Sequence, residues 1–285
     1  MVSFDDWLAG LIEQAQLPPD FGTVAEQICR PLLLRIQEVR RGLGFLVGLC
    51  GAQGSGKSTL SMVLAEMLRR AGLSVAVMSL DDLYLTRSQR RDLATNVHPL
   101  LATRGVPGTH NLTLGEQVLA ALSRPGVVAL PRFDKAADDR LAPSVWPVVQ
   151  GPVDVILLEG WCVGARAQPA EALINPLNDL ERLEDPELIW RNYVNQALAG
   201  PYRALFDRLD LLVLLAAPSF DVVLAWRQEQ EAKLRARVAD AGHVMSDEAV
   251  VRFVAHYERI TRWILQDMPD RADIVIRLDA QRRPI

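Results

Sequence analysis

The sequence predicts an α/β fold: a mostly parallel sheet with helices on both faces, preceded by a helical N-terminal segment. Three observations carry this. Six short apolar runs recur between helical patterns, at 45–50, 75–80, 127–130, 153–158, 211–216 and 274–278. Most are continuous rather than alternating, as strands buried on both faces are. Strands alternating with helices give a parallel sheet with right-handed crossovers. The composition is also that of an ordinary globular chain: 285 residues, 49% hydrophobic and 23% charged. That balance excludes a disordered, collagenous or coiled-coil protein.

The elements follow in order. In the first 41 residues, Trp7, Leu8, Leu11, Ile12 and Ala15 share one helical face, and Pro18-Pro19 breaks the chain after them. This segment, 1–41, is expected to pack on the domain as a helical extension. The run at 45–50 is the first strand, and an apolar-periodic helix follows from about Ser58 to Ala71. Residues 84–126 and 131–152 are long polar excursions, where α/β proteins keep ligand contacts. Residues 221–239 form a charged helix that Gly242 can end, and Ser246-Asp-Glu opens another with Ser246 as N-cap. No internal repeat or low-complexity linker divides the chain. One domain over 42–285 is therefore expected, with a lid segment at about 221–243.

Charge and cysteine usage exclude several classes. Lysine and arginine total 31 against 35 acids, a net charge of −4. Such a chain has no global field to hold nucleic acid or an anionic membrane. The run at 211–217 is the longest apolar stretch, far short of the ~20 residues of a membrane helix. Cys29, Cys50 and Cys162 are too few and too widely spaced for a disulfide framework or a zinc site. The acidic N-terminus has no signal-peptide layout. A cytoplasmic protein is expected. Only Lys57, Lys135 and Lys233 are lysines among the 31 cations. Where arginine fills nearly every cationic role, a lysine marks places that suit a compact point charge.

The strongest motif is Gly51-Ala52-Gln53-Gly54-Ser55-Gly56-Lys57-Ser58, followed by Thr59. It fits G-x-x-x-x-G-K-[ST] between a strand and a helix, which defines a P-loop NTPase fold. The glycines let backbone N–H groups converge on phosphate oxygens, and the helix N-terminus adds its positive end. Lys57 reaches the β/γ-phosphates of ATP, and the Ser58 hydroxyl holds Mg²⁺. Ser79-Leu-Asp81-Asp82-Leu-Tyr84 ends the second strand run, at the sheet edge where ligands bind. A kinase for an alcohol needs a carboxylate to accept the hydroxyl proton. The alternative is that one of the pair caps a turn.

Glu159 ends the apolar run before Gly160-Trp161 and resembles a Walker B acid acting on Mg²⁺ or its waters. Pro131-Arg132-Phe133-Asp134-Lys135, with Arg140 behind it, offers acceptor contacts; a solvated loop would read the same way. His110, on the Arg104–His110 loop of glycine and proline, is a ligand group or a local hydrogen-bonding residue. The segment from Arg227 to Arg237 reads as a solvated helix or as a lid whose arginines close over phosphates. The chain has no N-K-x-D guanine signature and no L-S-G-G-Q, which argues against a GTPase and a transport ATPase.

Taken together, the P-loop, Ser79–Thr86, Arg104–His110, Leu130–Lys135, Leu158–Trp161, Trp226-Arg227, Met245–Glu248 and the closing Arg282-Arg-Pro-Ile285 resemble the D-glycerate 3-kinase family. That family is related to phosphoribulokinase and uridine kinase. The resemblance runs from about residue 40 to the end. It implies transfer of the γ-phosphoryl of ATP to the 3-hydroxyl of D-glycerate, a small hydroxy acid. It implies Asp81 as base, Glu159 as the acid of the L-E-G segment, and Arg227 and Arg235 as lid arginines. Acceptor contacts are then expected from Asp82, Tyr84, Arg104, His110, Arg132, Asp134, Lys135 and Arg140. Two departures lie in the acceptor loops: His110-Asn111 where relatives often read His-Asp, and a shorter segment from Asp134 to Arg140 than in plant members. Two other functions compete: a kinase for a nucleoside, pantothenate or another sugar acid, and an ATP-switched regulator or assembly protein.

Overall fold

The computed structural model describes residues 2–237 and 246–285. Its centre is a five-stranded sheet of β1 (Phe45–Gly51), β2 (Val75–Ser79), β7 (Val155–Gly160), β8 (Leu211–Ala216) and β9 (Ile274–Arg277). The order is β2-β7-β1-β8-β9, and every neighbouring pair is parallel. The β1, β7 and β8 strands are buried along their whole length. Alternate residues feed opposite faces: Leu46, Ile156, Leu212 and Leu214 join one apolar cluster, and Val47, Leu49, Leu157 and Val213 the other. The continuous apolar runs are explained by this two-faced burial.

One strand expectation is corrected. The run at 127–130 is not part of the parallel sheet. As β3 (Gly126–Ala129) it pairs antiparallel with β6 (Val148–Gly151) in a separate ribbon. Val127 is 71% exposed, so this run is buried on one face only. A second ribbon joins β4 (Phe133–Asp134) to β5 (Asp139–Arg140).

Helix α1 (Phe4–Ala15) starts at Ser3, whose hydroxyl accepts from the Asp6 amide, and ends at Gln16 in the left-handed conformation. Helix α2 (Phe21–Val39) follows the Pro18-Pro19 break. Ala25, Ile28, Cys29, Leu32 and Ile36 of α2 are buried in the same cluster as Leu60, Val63 and Leu64 of α3 (Lys57–Arg70). The polar excursion after β2 is more ordered than its composition suggests. It holds α4 (Arg87–Asn96), opened by a capping box between Thr86 and Gln89, and α5 (Leu112–Leu122), capped by Asn111. The stretch 161–210, for which spacing predicts no element, holds α6 (Asp179–Glu184), α7 (Ile189–Ala197) and α8 (Arg203–Phe206). Helix α9 (Phe220–Arg237) and α10 (Asp247–Asp267) lie between β8 and β9, the latter helix with the Ser246 N-cap that the sequence indicates.

Candidate active site

The parallel register gathers three segments at one sheet edge. Ser79 at the end of β2 lies beside Glu159 at the end of β7, and Glu159 lies beside Leu49 of β1. Beyond those strand ends come Asp81, Trp161 and the phosphate loop. Gly54 and Gly56 both have positive φ, 76° and 85°. A Cβ at Gly54 would stand 2.7 Å from Trp226 Cβ, so the loop needs glycine there for space as well as conformation. Helix α3 begins at Lys57 directly after Gly56, with no side-chain cap on its first amides. A phosphate is the group that fits such an uncapped N-terminus. Ser55 Oγ and Gln53 Oε1 are buried without partners among the described residues, as a loop awaiting a polar ligand would leave them.

Ser58 Oγ donates to Glu159 Oε1 at 3.0 Å, which joins the loop to the end of β7. Glu159 is buried, and its Oε2 has no partner among the described residues. Both are hard oxygen donors of the type Mg²⁺ takes. The described residues hold no group of three or more His, Cys, Asp or Glu that could hold a metal. A protein that offers Mg²⁺ one or two oxygens, leaving the rest to phosphate and water, matches the usual habit of this ion.

Asp81 sits on a single 3₁₀ turn, Leu80–Leu83, that Ser79 caps. Tyr84 Oη donates to Asp81 Oδ1 at 2.8 Å, and Lys135 Nζ donates to Oδ2 at 2.6 Å. Burial would raise this carboxyl, but the Lys135 and Lys57 ammonium groups outweigh it and hold Asp81 well below the usual carboxylate range. Asp82 points to a different duty. Its oxygens accept from the Phe133 amide at 3.0 Å and from Arg132 Nη1 at 3.2 Å, so it tethers the β4 ribbon to the turn. Burial pushes Asp82 up, the opposite direction from its neighbour.

The acceptor side is built around Tyr84. Its ring stacks on His110 at 4.6 Å and meets Phe133 edge-on at 5.2 Å. The Tyr202 hydroxyl accepts from the Gly108 amide at 3.0 Å and lies 2.5 Å from His110 Nδ1. The two contacts hold the Tyr202 hydroxyl between the Gly108 amide and the imidazole and so fix the ring's position. Burial lowers the His110 pKa to about 4, so the ring is neutral at pH 7. Nε2 is buried with no partner among the described residues. Arg140 Nη2 donates to the Tyr84 carbonyl at 2.6 Å. Arg104 pairs with Asp138, and Asp134 Oδ1 accepts from the Ala136 and Ala137 amides, which shapes the β4–β5 turn.

Arg227 lies over the Phe253 ring at 5.6 Å and donates to Gln230. The side chain of Arg235 lies outside the described residues, as do residues 238–245, which include Gly242 and the end of the expected lid. Three contributors escape sequence reasoning. Arg90, 1% exposed, donates to the carbonyls of Leu85, Ala102 and Asp138 and pairs with the Asp138 carboxylate at 2.8 Å. Tyr202 fixes His110. Arg282 Nε donates to the Gly54 carbonyl at 2.6 Å, stacks over Trp226 at 5.1 Å and pairs with Glu229 at 2.8 Å. Arg282 stands in the closing segment that carries part of the family resemblance, but nothing in that segment indicates its contact with the phosphate loop.

A phosphate loop, a carboxylate at the next strand end and an adjoining Walker B-like acid define a P-loop kinase. Comparison with known proteins agrees. The "Uncharacterized kinase mug58" of Schizosaccharomyces pombe is 36% identical over 236 residues, covering 79% of this chain and 82% of that protein. The "D-glycerate 3-kinase, chloroplastic" of Arabidopsis thaliana is 32% identical over 84% of this chain and 54% of its own length, so the chain spans about half of the plant enzyme. The solved "D-glycerate 3-kinase" of Cryptococcus neoformans superposes with a TM-score of 0.74 at 28% identity, covering 94% of this chain and 98% of that one. The family described as "Methylmalonyl Co-A mutase-associated GTPase MeaB" matches residues 21–85 alone, the segment from α2 through the phosphate loop to Tyr84. The chain belongs to the D-glycerate 3-kinase family of P-loop kinases. It is a phosphotransferase with an alcohol group as acceptor. No described helix is long and apolar enough to cross a membrane.

Proposed function

We propose that the protein transfers the γ-phosphoryl of ATP to the 3-hydroxyl of D-glycerate, giving 3-phosphoglycerate and ADP. The observation that carries this is Asp81: an ionised, half-buried carboxylate beside the phosphate loop, at the strand end where an acceptor hydroxyl would approach. In this reading Asp81 takes the hydroxyl proton. The 51–59 loop binds the phosphates, and Lys57 offsets charge that develops on the transferring group. Ser58 and Glu159 would hold Mg²⁺, which neutralises phosphate charge when bound. Arg227 and Arg235 would close from the lid segment.

The acceptor would meet Tyr84, His110, Arg132, Lys135 and Arg140, with Arg104, Asp82 and Asp134 holding the loops that carry them. The names of the plant and Cryptococcus relatives support D-glycerate over other acceptors. Residues 42–285 form the kinase domain, on which 1–41 packs as a fixed extension. A coupled assay of ADP release over small hydroxy acids, sugars and nucleosides tests the substrate. D-glycerate should give the largest stimulation; none above background would refute it.

The match of residues 21–85 to a GTPase family favours a second reading, a nucleotide-driven switch. That segment contains only the parts that phosphate-binding proteins share, and a switch has no use for a base at Asp81. Slow ATP hydrolysis indifferent to every small acceptor would favour it instead.

A further inference from the structure

Asp81 carries two donors of unequal freedom. Tyr84 is buried, and its ring is packed between His110 and Phe133. Lys135 stands on the β4–β5 turn with its side chain 61% exposed. Both oxygens of the carboxylate therefore accept a hydrogen bond, one from a fixed phenol and one from a movable ammonium. A carboxylate so held is a poor proton acceptor. Relief can come only from the movable partner. A half-exposed ion pair is worth little, so a competing anion of suitable reach can draw the lysine off. Nearby cations are committed elsewhere: Arg104 to Asp138 and Arg132 to Asp82.

We infer that Lys135 is an acceptor-sensing switch, which holds Asp81 in check until a hydroxy compound bearing a carboxylate draws the ammonium away. The inference rests on the reading of Asp81 as base and adds a physical reason why the acceptor must be an anion. A neutral alcohol gives Lys135 nothing to move to, and the base stays occupied. With the ammonium transferred, Asp81 Oδ2 is open to the acceptor hydroxyl. The proton passes to Oδ2 as the hydroxyl oxygen bonds to the γ-phosphorus. The bond from that phosphorus to the β,γ-bridging oxygen breaks, and its electron pair leaves on the nucleoside diphosphate. Specificity for an acid is then gained at the chemical step as well as in binding.

Several groups bear on Asp81: Lys135 from the ribbon, Lys57 from α3, Tyr84 and Asp82 from its own turn, and His110, Cys162 and Tyr257 from packed neighbours. Removing Lys135 leaves Lys57 as the nearby ammonium among the described residues, so the carboxyl must rise. Lys135→Met, which is exposed and should fold normally, is compared with the wild type on D-glycerate and on glycerol. The expected result is a loss of roughly 10²-fold in kcat/KM for D-glycerate together with a rise in glycerol turnover, since Asp81 no longer carries the ammonium. The acid limb of the kcat/KM profile for D-glycerate should also move to higher pH, because that profile reports the free enzyme. A merely structural lysine would lower both acceptors alike and leave the limb in place; that outcome overturns the inference while D-glycerate kinase activity stands. Wild-type turnover of neutral acceptors alone would overturn both.

Discussion

Asp81 and Asp82 are adjacent in sequence and take opposite parts because their neighbours differ. Asp81 meets Lys135 and Tyr84, whereas Asp82 is spent on the Phe133 amide and Arg132. Asp81→Asn should therefore cut turnover by about 10²–10⁴-fold with little loss of folding. Asp82→Asn should act mainly through the β4 ribbon, as a raised KM for the acceptor. Steady-state kinetics beside thermal melts would separate the two; near-normal turnover in Asp81→Asn would remove it as base. His110 supplies a pH prediction. Its folded pKa is about 4, below the ordinary 6.5. The unfolded chain therefore takes up a proton first as pH falls, and stability drops between pH 6.5 and 4, with no contribution above 6.5. The loss is on the order of 3 kcal/mol. Urea unfolding at a series of pH values should show a shallower decline in His110→Gln over that window.

At the scale of elements, legibility follows range. The phosphate loop is legible because its chemistry is contiguous: a strand, eight residues of fixed type and a helix. The β1, β7 and β8 runs are legible because burial on both faces makes them continuously apolar, and the edge strands β2 and β9 keep apolar runs with partial burial. The run that became β3 has the same composition in miniature, and only its partner β6 shows that one face is wet. Arg90 could not be found because its partners, Leu85, Ala102 and Asp138, belong to three loops that meet only in the fold. Arg90→Met should destabilise by about 1–3 kcal/mol, since it leaves the carbonyls of Leu85, Ala102 and Asp138 without their buried donor. Helix α2 is equally integral. Ile28 and Ile36 are buried against α3, which carries Lys57 and Ser58. Ile28→Ala should cost about 2–5 kcal/mol in chemical denaturation, and deletion of 1–41 should give insoluble protein. A soluble, active 42–285 fragment would show that the extension is dispensable.

For the whole molecule, the charge pattern matters more than its sum. The net charge of −4 leaves no field for a large polyanion. Positive groups are instead placed singly: Lys57 behind the phosphate loop, Lys135 on Asp81, and Arg282 on the Gly54 carbonyl. That last contact joins residues 228 positions apart, which no local pattern could reveal. The kinase class was therefore readable from motifs, whereas the acceptor depends on how distant loops converge at Tyr84. The central claim is that a small hydroxy acid, D-glycerate, receives the phosphoryl group. Phosphorus NMR of a reaction containing the protein, ATP, Mg²⁺ and D-glycerate tests it most directly. The account predicts stoichiometric 3-phosphoglycerate and ADP, absent with Lys57→Ala; ATP left intact, or consumed only to free phosphate, would contradict it.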